Sequence, residues 1–399
     1  MHSLCSTLHI RQDVERCLSN AGFMLDTLPP PPLCPLPRDS PALYPRHTGK
    51  PEWIGENMEG NMKALMYRDI GKVECVTLPI PECGPKGITI EVARASICGS
   101  DIHAYNRGPL AGGLWGKDVQ FGHEFVGIVV EVGDEVEGIK IGDRVWVNPD
   151  FCKGDPRKSC MAGGFAEYAS TVDARLGETV FILPDNVPFK TAVLLEPMGV
   201  GVHTKNRAGV KPGDKVMMIG AGPIGLMGWA AMRHQGIKDI IAVEYMPSRV
   251  EFARGFGVEA YCNQDKDSYE IAAERFGTAS PFTYERADVD AVIDYAGLGS
   301  ILGEYLEKGR GKSTFTTLGL DPTSLTILPN EFMSKEFTVK GARGYTPEDI
   351  RECIDLLADG EYDLSRLVTA EYPLDEPIRA FEAACGRDDN CKVVFNISD

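Results

Sequence analysis

Val216-Met217-Met218-Ile219 runs straight into Gly220-Ala221-Gly222-Pro223-Ile224-Gly225, and an apolar stretch over 224–235 follows. A strand-length apolar run, a GxGxxG loop and a helix stand here in the order that a dinucleotide-binding turn requires. Gly220 permits the tight turn, Gly222 lets backbone approach a pyrophosphate, and Gly225 lets helix and strand pack closely. Pro223 and Ile224 open the helix, whose free N–H groups and positive dipole end face the anion. The next apolar run, 240–243, ends at Glu244, nineteen residues after Gly225, where a carboxylate can accept the ribose hydroxyls. Tyr245 and Met246 follow, with no adjacent cation to receive a 2′-phosphate, so NAD is expected; Arg249, five residues on, keeps NADP open.

The texture around this loop extends the reading. Apolar runs at 240–243, 291–294 and 313–318 alternate with helical stretches at 224–235 and 248–256, which builds a parallel, doubly wound sheet. From Met62 to about 200 the pattern is instead β-rich, with short runs at 88–93, 125–132 and 144–147 broken at Gly133-Asp134 and Gly142-Asp143. The end carries a helical pattern over 346–359 and a last apolar run at 392–397. An α/β protein of two domains is expected, since 399 residues exceed what one small core needs.

Residues 1–61 read differently. Nine prolines fall there, four of them in the run 29–32, so the stretch from 29 to 51 can form neither helix nor central strand. A helix over 14–25 is conceivable, but the segment reads as a disordered extension, with Met62 as an alternative start. Acidic residues outnumber basic ones by 58 to 41, a net charge of −17 that repels phosphate backbones and anionic lipid. No nucleic-acid or membrane partner is therefore expected, and no apolar run reaches the 18 residues of a membrane span. Twelve scattered cysteines and no leader-like start indicate free thiols in a reducing cytoplasm.

The β-rich half holds two compact clusters, Cys98-Gly99-Ser100-Asp101-Ile102-His103 and Gly122-His123-Glu124, and Glu196-Pro197 precedes the dinucleotide region. Thiolate, imidazole and carboxylate from separate segments match the mixed ligands of a catalytic zinc with one open position. Alone, Cys98 reads equally as a small buried apolar residue, His123 as a core histidine and Glu196 as a helix start.

Together with the glycine loop, the motif string resembles the zinc-dependent medium-chain dehydrogenase/reductase superfamily of alcohol, sorbitol and threonine dehydrogenases. The string comprises CGSD-I-H at 98–103, GHE at 122–124, VGD-V--I--GDRV at 132–145, GGFAEY at 163–168, EP at 196–197 and GAGPIG at 220–225. The resemblance runs from Met62 to the end. It implies a β-rich GroES-like catalytic domain over 62–200 and 341–399, and a Rossmann domain over 201–340, with the site in the cleft between them.

By the same resemblance, Cys98 and His123 are zinc ligands, and Glu124 coordinates directly or through water. Glu196 stands where polyol dehydrogenases place a carboxylate and alcohol dehydrogenases a cysteine. Asp101 orients His123, Ser100 bonds the substrate oxygen and His103 passes its proton to solvent. The segment after GDRV holds only Cys152 and Cys160, too few thiolates for a structural zinc, so a single catalytic zinc is expected. Phe121, Trp115 and Tyr105 are expected near the pocket, or else in plain packing.

The implied activity is hydride transfer between NAD(H) and a secondary alcohol or ketone, with a polyol or sugar favoured by Glu196. Zinc would acidify the alcohol and the nicotinamide would take the hydride. The competing readings are a threonine or simple-alcohol dehydrogenase, a zinc-free quinone reductase, and a dinucleotide-binding protein without catalysis. A small-molecule substrate and a homo-oligomeric assembly are expected.

Overall fold

The chain first forms an antiparallel hairpin of β1 (Asn61–Asp69) and β2 (Lys72–Pro79), turning at Gly71 in the left-handed region (φ +67°). The computed structural model describes residues 60–108, 117–153, 163–282, 284–319, 321, 324–386 and 390–398. The expected extension over 1–61 lies outside these residues apart from Gly60 and Asn61, and so do Trp115 and Cys160.

Next come β3 (Ile88–Ser96), helix α1 (Gly99–Arg107), β4 (Glu124–Val132), β5 (Arg144–Val147), β6 (Tyr168–Thr171) and β7 (Val180–Ile182). β3 pairs antiparallel with β4 in a register that sets Ser96 opposite Glu124. Helix α1 follows β3 at once, because Cys98 is extended and the Asp101 carboxylate accepts its N–H at 2.8 Å. That cap starts a helix in a polar, glycine-containing stretch of weak intrinsic propensity.

After helix α2 (Leu195–Ala208), which ends at the left-handed Gly209, the chain alternates strand and helix. β8 (Val216–Ile219), α3 (Pro223–His234), β9 (Ile240–Glu244), α4 (Pro247–Gly255), β10 (Ala260–Cys262), β11 (Ala291–Asp294), β12 (Thr314–Thr317) and β13 (Thr338–Gly341) follow. Every residue of β8, β9 and β11 is buried, as in a parallel sheet covered on both faces. The six strands are parallel and lie in the order β10-β9-β8-β11-β12-β13. Numbered along this sheet the order is 3-2-1-4-5-6, that of the Rossmann fold, and the order reverses beside β8.

Helix α5 (Pro347–Asp359) then leads to β14 (Val368–Pro373) and β15 (Lys392–Asn396). β15 pairs antiparallel with β3, placing Val394 against Ser96, so the last strand returns to the first half of the chain. An eight-stranded sheet results, in the order β14-β15-β3-β4-β5-β7, with β6 and the short strand Cys152–Lys153 alongside.

One hydrophobic core joins the two sheets, since Val126 and Trp146 share it with Leu195, Met198, Val216 and Ile350. A second core lies under β3 and β4. Phe121 belongs to it, fully buried with its ring against Tyr67, Phe165 and Phe381, and Tyr105 stacks on Phe381 at 5.1 Å. Both rings therefore pack the core. The fully buried Phe121 ring is worth about 1.5–3 kcal/mol of transfer free energy.

Candidate metal and cofactor site

Cys98 leaves the end of β3 as the residue before α1, and His123 and Glu124 enter β4 beside it. One ligand atom from each of Cys98, His123 and Glu124 lies within 4.8 Å of the other two. Glu124 and His123 are buried and Cys98 is half-buried, so three donors of different softness converge out of bulk water.

The two oxygens of Glu124 differ. Oε2 accepts both the Ser96 hydroxyl and the Lys392 ammonium. The register of β3 against β4 supplies the first partner, and the first residue of β15 supplies the second. Lys392 also donates to the Ile97 carbonyl at 3.0 Å. Oε1 is buried with no hydrogen-bond partner among the described residues. An orphaned carboxylate oxygen beside a thiol and an imidazole is the donor set that a zinc ion satisfies.

Electrostatics agree. Burial pushes the Asp101 carboxyl up to about 6, with His123 and the Cys98 N–H opposing and Glu124 adding to the rise. Burial likewise carries Glu196 up to about 7, opposed by His123 and Lys392 and reinforced by the charge of Glu124. In both, burial penalises the charged form by more than the nearby positive groups favour it. Burial lowers the His123 pKa, but the charges of Cys98 and Asp101 outweigh it and hold the ring well above its usual range. A divalent cation there would offset the negative charge that Cys98, Asp101 and Glu196 bring to His123.

Glu196 stands in the first turn of α2. It lies outside the tight trio while interacting with His123, Glu124 and Lys392. Asp101 is fully buried, and its Oδ1 stands 3.9 Å from His123 Nδ1, an electrostatic rather than a hydrogen-bonding distance. Ser100 and His103 are half-buried on α1, three residues apart and thus on one helical face.

The loop from Gly220 to Gly225 turns tightly. Gly220 adopts φ +96°, and a Cβ there would lie 2.9 Å from the Ala296 nitrogen, so only glycine fits the turn. At Gly222, the N-cap of α3, a Cβ would meet nothing nearer than the Arg249 guanidinium at 3.7 Å. The loop thus leaves open space beside a cation and a helix N-terminus, which suits a pyrophosphate. Pro223 and Ile224 form the first turn of that helix, and Gly225 packs it onto Gly220, whose carbonyl a Cβ would strike at 2.3 Å. Buried Glu244 closes β9 and accepts the N–H groups of Ala221 at 2.9 Å and Met246 at 3.0 Å. Beyond it Tyr245, Met246, Pro247, Ser248 and Gln264 line an open hollow of about 480 Å³.

Lys392, Ser96 and Tyr345 went unnoticed in the sequence. Lys392 lies far down the chain from the ligand cluster, Ser96 is revealed by strand register, and Tyr345 reaches Glu196 across a helix contact. None of the eight cysteines among the described residues is in a disulfide, and no helix among them is long and apolar enough to cross a membrane.

Comparison with known proteins follows this geometry. Residues 84–185 match the family described as the alcohol dehydrogenase GroES-like domain, and residues 223–359 match the zinc-binding dehydrogenase family. The chain is similar to the sorbitol dehydrogenase of Bacillus subtilis, 29% identical over 354 residues that cover 84% of this chain and 97% of that protein. It is similar to the probable D-xylulose reductase A of Arthroderma otae, 31% identical over 336 residues covering 80% and 93%. Among solved structures it resembles 2R,3R-butanediol dehydrogenase from Bacillus subtilis, with a TM-score of 0.72, 29% identity, and coverage of 84% of this chain and 99% of that one.

Proposed function

The chain belongs to the zinc-dependent medium-chain dehydrogenase/reductase superfamily, and on that premise we propose that it moves hydride between NAD(H) and a secondary alcohol or ketone of a polyol or sugar. The observation that carries this reading is the buried convergence of Cys98, His123 and Glu124, with the Glu196 carboxylate facing it.

In this reading Cys98 Sγ, a His123 ring nitrogen and the free Oε1 of Glu124 would hold zinc, and Glu196 would join them directly or through water. A zinc ion so held lowers the pKa of an alcohol hydroxyl and polarises a carbonyl. Ser96 and Lys392 grip the other oxygen of Glu124 and keep Oε1 aimed at the cluster. Asp101 fixes the start of α1 through the Cys98 N–H and favours the orientation of His123 electrostatically. Ser100 would hydrogen-bond the substrate hydroxyl and, as it takes that proton, pass its own towards His103, one turn on, which would deliver it to solvent.

Gly220, Gly222, Pro223, Ile224 and Gly225 form the pyrophosphate cradle, with Arg249 adding positive charge beside Gly222. Glu244, already anchored by two backbone N–H groups, receives the ribose hydroxyls and repels a 2′-phosphate, so NAD is preferred over NADP. The catalytic unit comprises residues 62–200 and 341–399, and the nucleotide unit 201–340. A carboxylate at position 196 makes the site oxygen-rich, and the diol-, polyol- and ketose-acting relatives point the same way. Leu298, Leu325, Ile327, Leu328 and Met333 are exposed and fit a homo-oligomeric contact.

A panel of polyols, sugar alcohols, threonine and simple secondary alcohols, assayed with NAD and NADP by absorbance of the reduced ring, tests the proposal. NAD-linked turnover highest for a polyol supports it; turnover confined to threonine or monohydric alcohols refutes the substrate class.

A further inference from the structure

Tyr345 stands two residues before α5 and reaches across to α2. Its ring occupies a slot that a missing side chain opens. A Cβ on Gly199 would lie 2.9 Å from ring atoms Cγ and Cδ1, so any larger residue there would displace the tyrosine. Trp146 meets the ring edge to face, centroids 5.7 Å apart at 68°. Glu196 lies three residues before Gly199 on the same helical face, which places its carboxylate beside the Tyr345 side chain, and the two groups interact.

The approach of α5 to α2 is also fixed. Asp349, buried in the first turn of α5, accepts the N–H of Thr346 at 2.7 Å, His203 Nδ1 at 2.8 Å and Asn206 Nδ2 at 2.7 Å. His203 and Asn206 lie further along α2, so one carboxylate ties the start of α5 to the helix that carries Glu196. Ring slot, aromatic contact and helix clamp together leave the Tyr345 hydroxyl little freedom.

We propose that Tyr345 is a positioning residue for the metal site: its hydroxyl holds one oxygen of Glu196 and thereby presents the other to the Cys98–His123–Glu124 cluster. The inference rests on the reading of Glu196 as a ligand or water-bridged ligand. Groups of this kind change metal affinity by about 10–100-fold when removed.

The test uses the full chain stripped of metal and titrated with zinc against a chromophoric chelator. Tyr345→Phe keeps the ring in its slot and removes one oxygen. It is expected to weaken zinc binding about tenfold, and Glu196→Gln by at least as much. If tyrosine acts through glutamate, the double variant binds zinc no more weakly than Glu196→Gln alone. Unchanged affinity in Tyr345→Phe, with Glu196→Gln weakened, overturns the inference and leaves the ligand reading standing. Additive losses in the double variant overturn it as well. Unchanged affinity in Glu196→Gln overturns the ligand reading, and the inference with it.

Discussion

Lys392, at the start of the final strand, and Glu124, at the entrance of β4, form a buried ion pair although 268 residues separate them. The pair ties the returning last strand to the entrance of β4. It also explains how one oxygen of Glu124 is neutralised while the other stays open. Burial works against the Lys392 charge, and the neighbouring Glu124 and Cys98 charges outweigh it, so the ammonium stays protonated.

Lys392→Met should therefore strand a buried carboxylate. Breaking such a pair costs about 3–5 kcal/mol, and urea unfolding of the metal-free protein at neutral pH should show a loss of that size. A double variant with Glu124→Gln should recover part of it. A single variant as stable as the parent would show that the pair does not form.

Glu244→Ala removes a carboxylate that both anchors the glycine loop and faces the ribose. Losing a charge-assisted hydrogen bond of about 1.5–3 kcal/mol should weaken NADH binding about tenfold or more, read by nicotinamide fluorescence. NADPH should lose less, because its phosphate no longer meets a negative charge. An unchanged ratio between the two cofactors would remove Glu244 from the ribose site.

Asp349 gives a pH-dependent expectation. Burial works against its charge, but hydrogen bonds from Asn206, the Thr346 N–H and His203 prevail, and its pKa lies below the ordinary carboxylate value. A depressed pKa contributes stability that is present above the unfolded value and lost as pH falls through the folded one. Asp349→Ala should then cost about 2–4 kcal/mol at neutral pH, from a lost cap and unpaired buried donors. The difference from the parent should shrink below about pH 4, where the unfolded carboxyl takes up its proton. A difference that persists unchanged into acid would mean that the carboxylate charge plays no part.

How much of this could be read along the chain depends on how local each signal is. The loop from Gly220 to Gly225 was legible because turn, anion site and helix start sit within six residues. The strands at Arg144–Val147, Val216–Ile219 and Ala291–Asp294 were equally plain, being short apolar runs. Cys98, His123, Glu124 and Glu196 were found as types in a pattern, but their convergence required the fold.

Other features carried no local mark. Helix α1 hides in a polar stretch that one side-chain cap organises, and α2 holds glycines at 199 and 201 that blur its period. Phe121 sits in the GHE loop region yet faces the core, because burial depends on Phe165 and Phe381 arriving from elsewhere. Ser96, Lys392 and Tyr345 acquire their roles from register and helix packing, which periodicity does not encode.

Cys98→Ser bears on the centre of the account, because the thiolate is the softest of the three converging donors. Metal content of the purified parent and variant, measured alongside NADH binding, is the direct test. The parent should hold about one zinc per chain, and the variant should lose both the zinc and turnover while still binding NADH through the distant glycine loop. A parent without zinc, or a variant that keeps its zinc and its activity, would contradict the account.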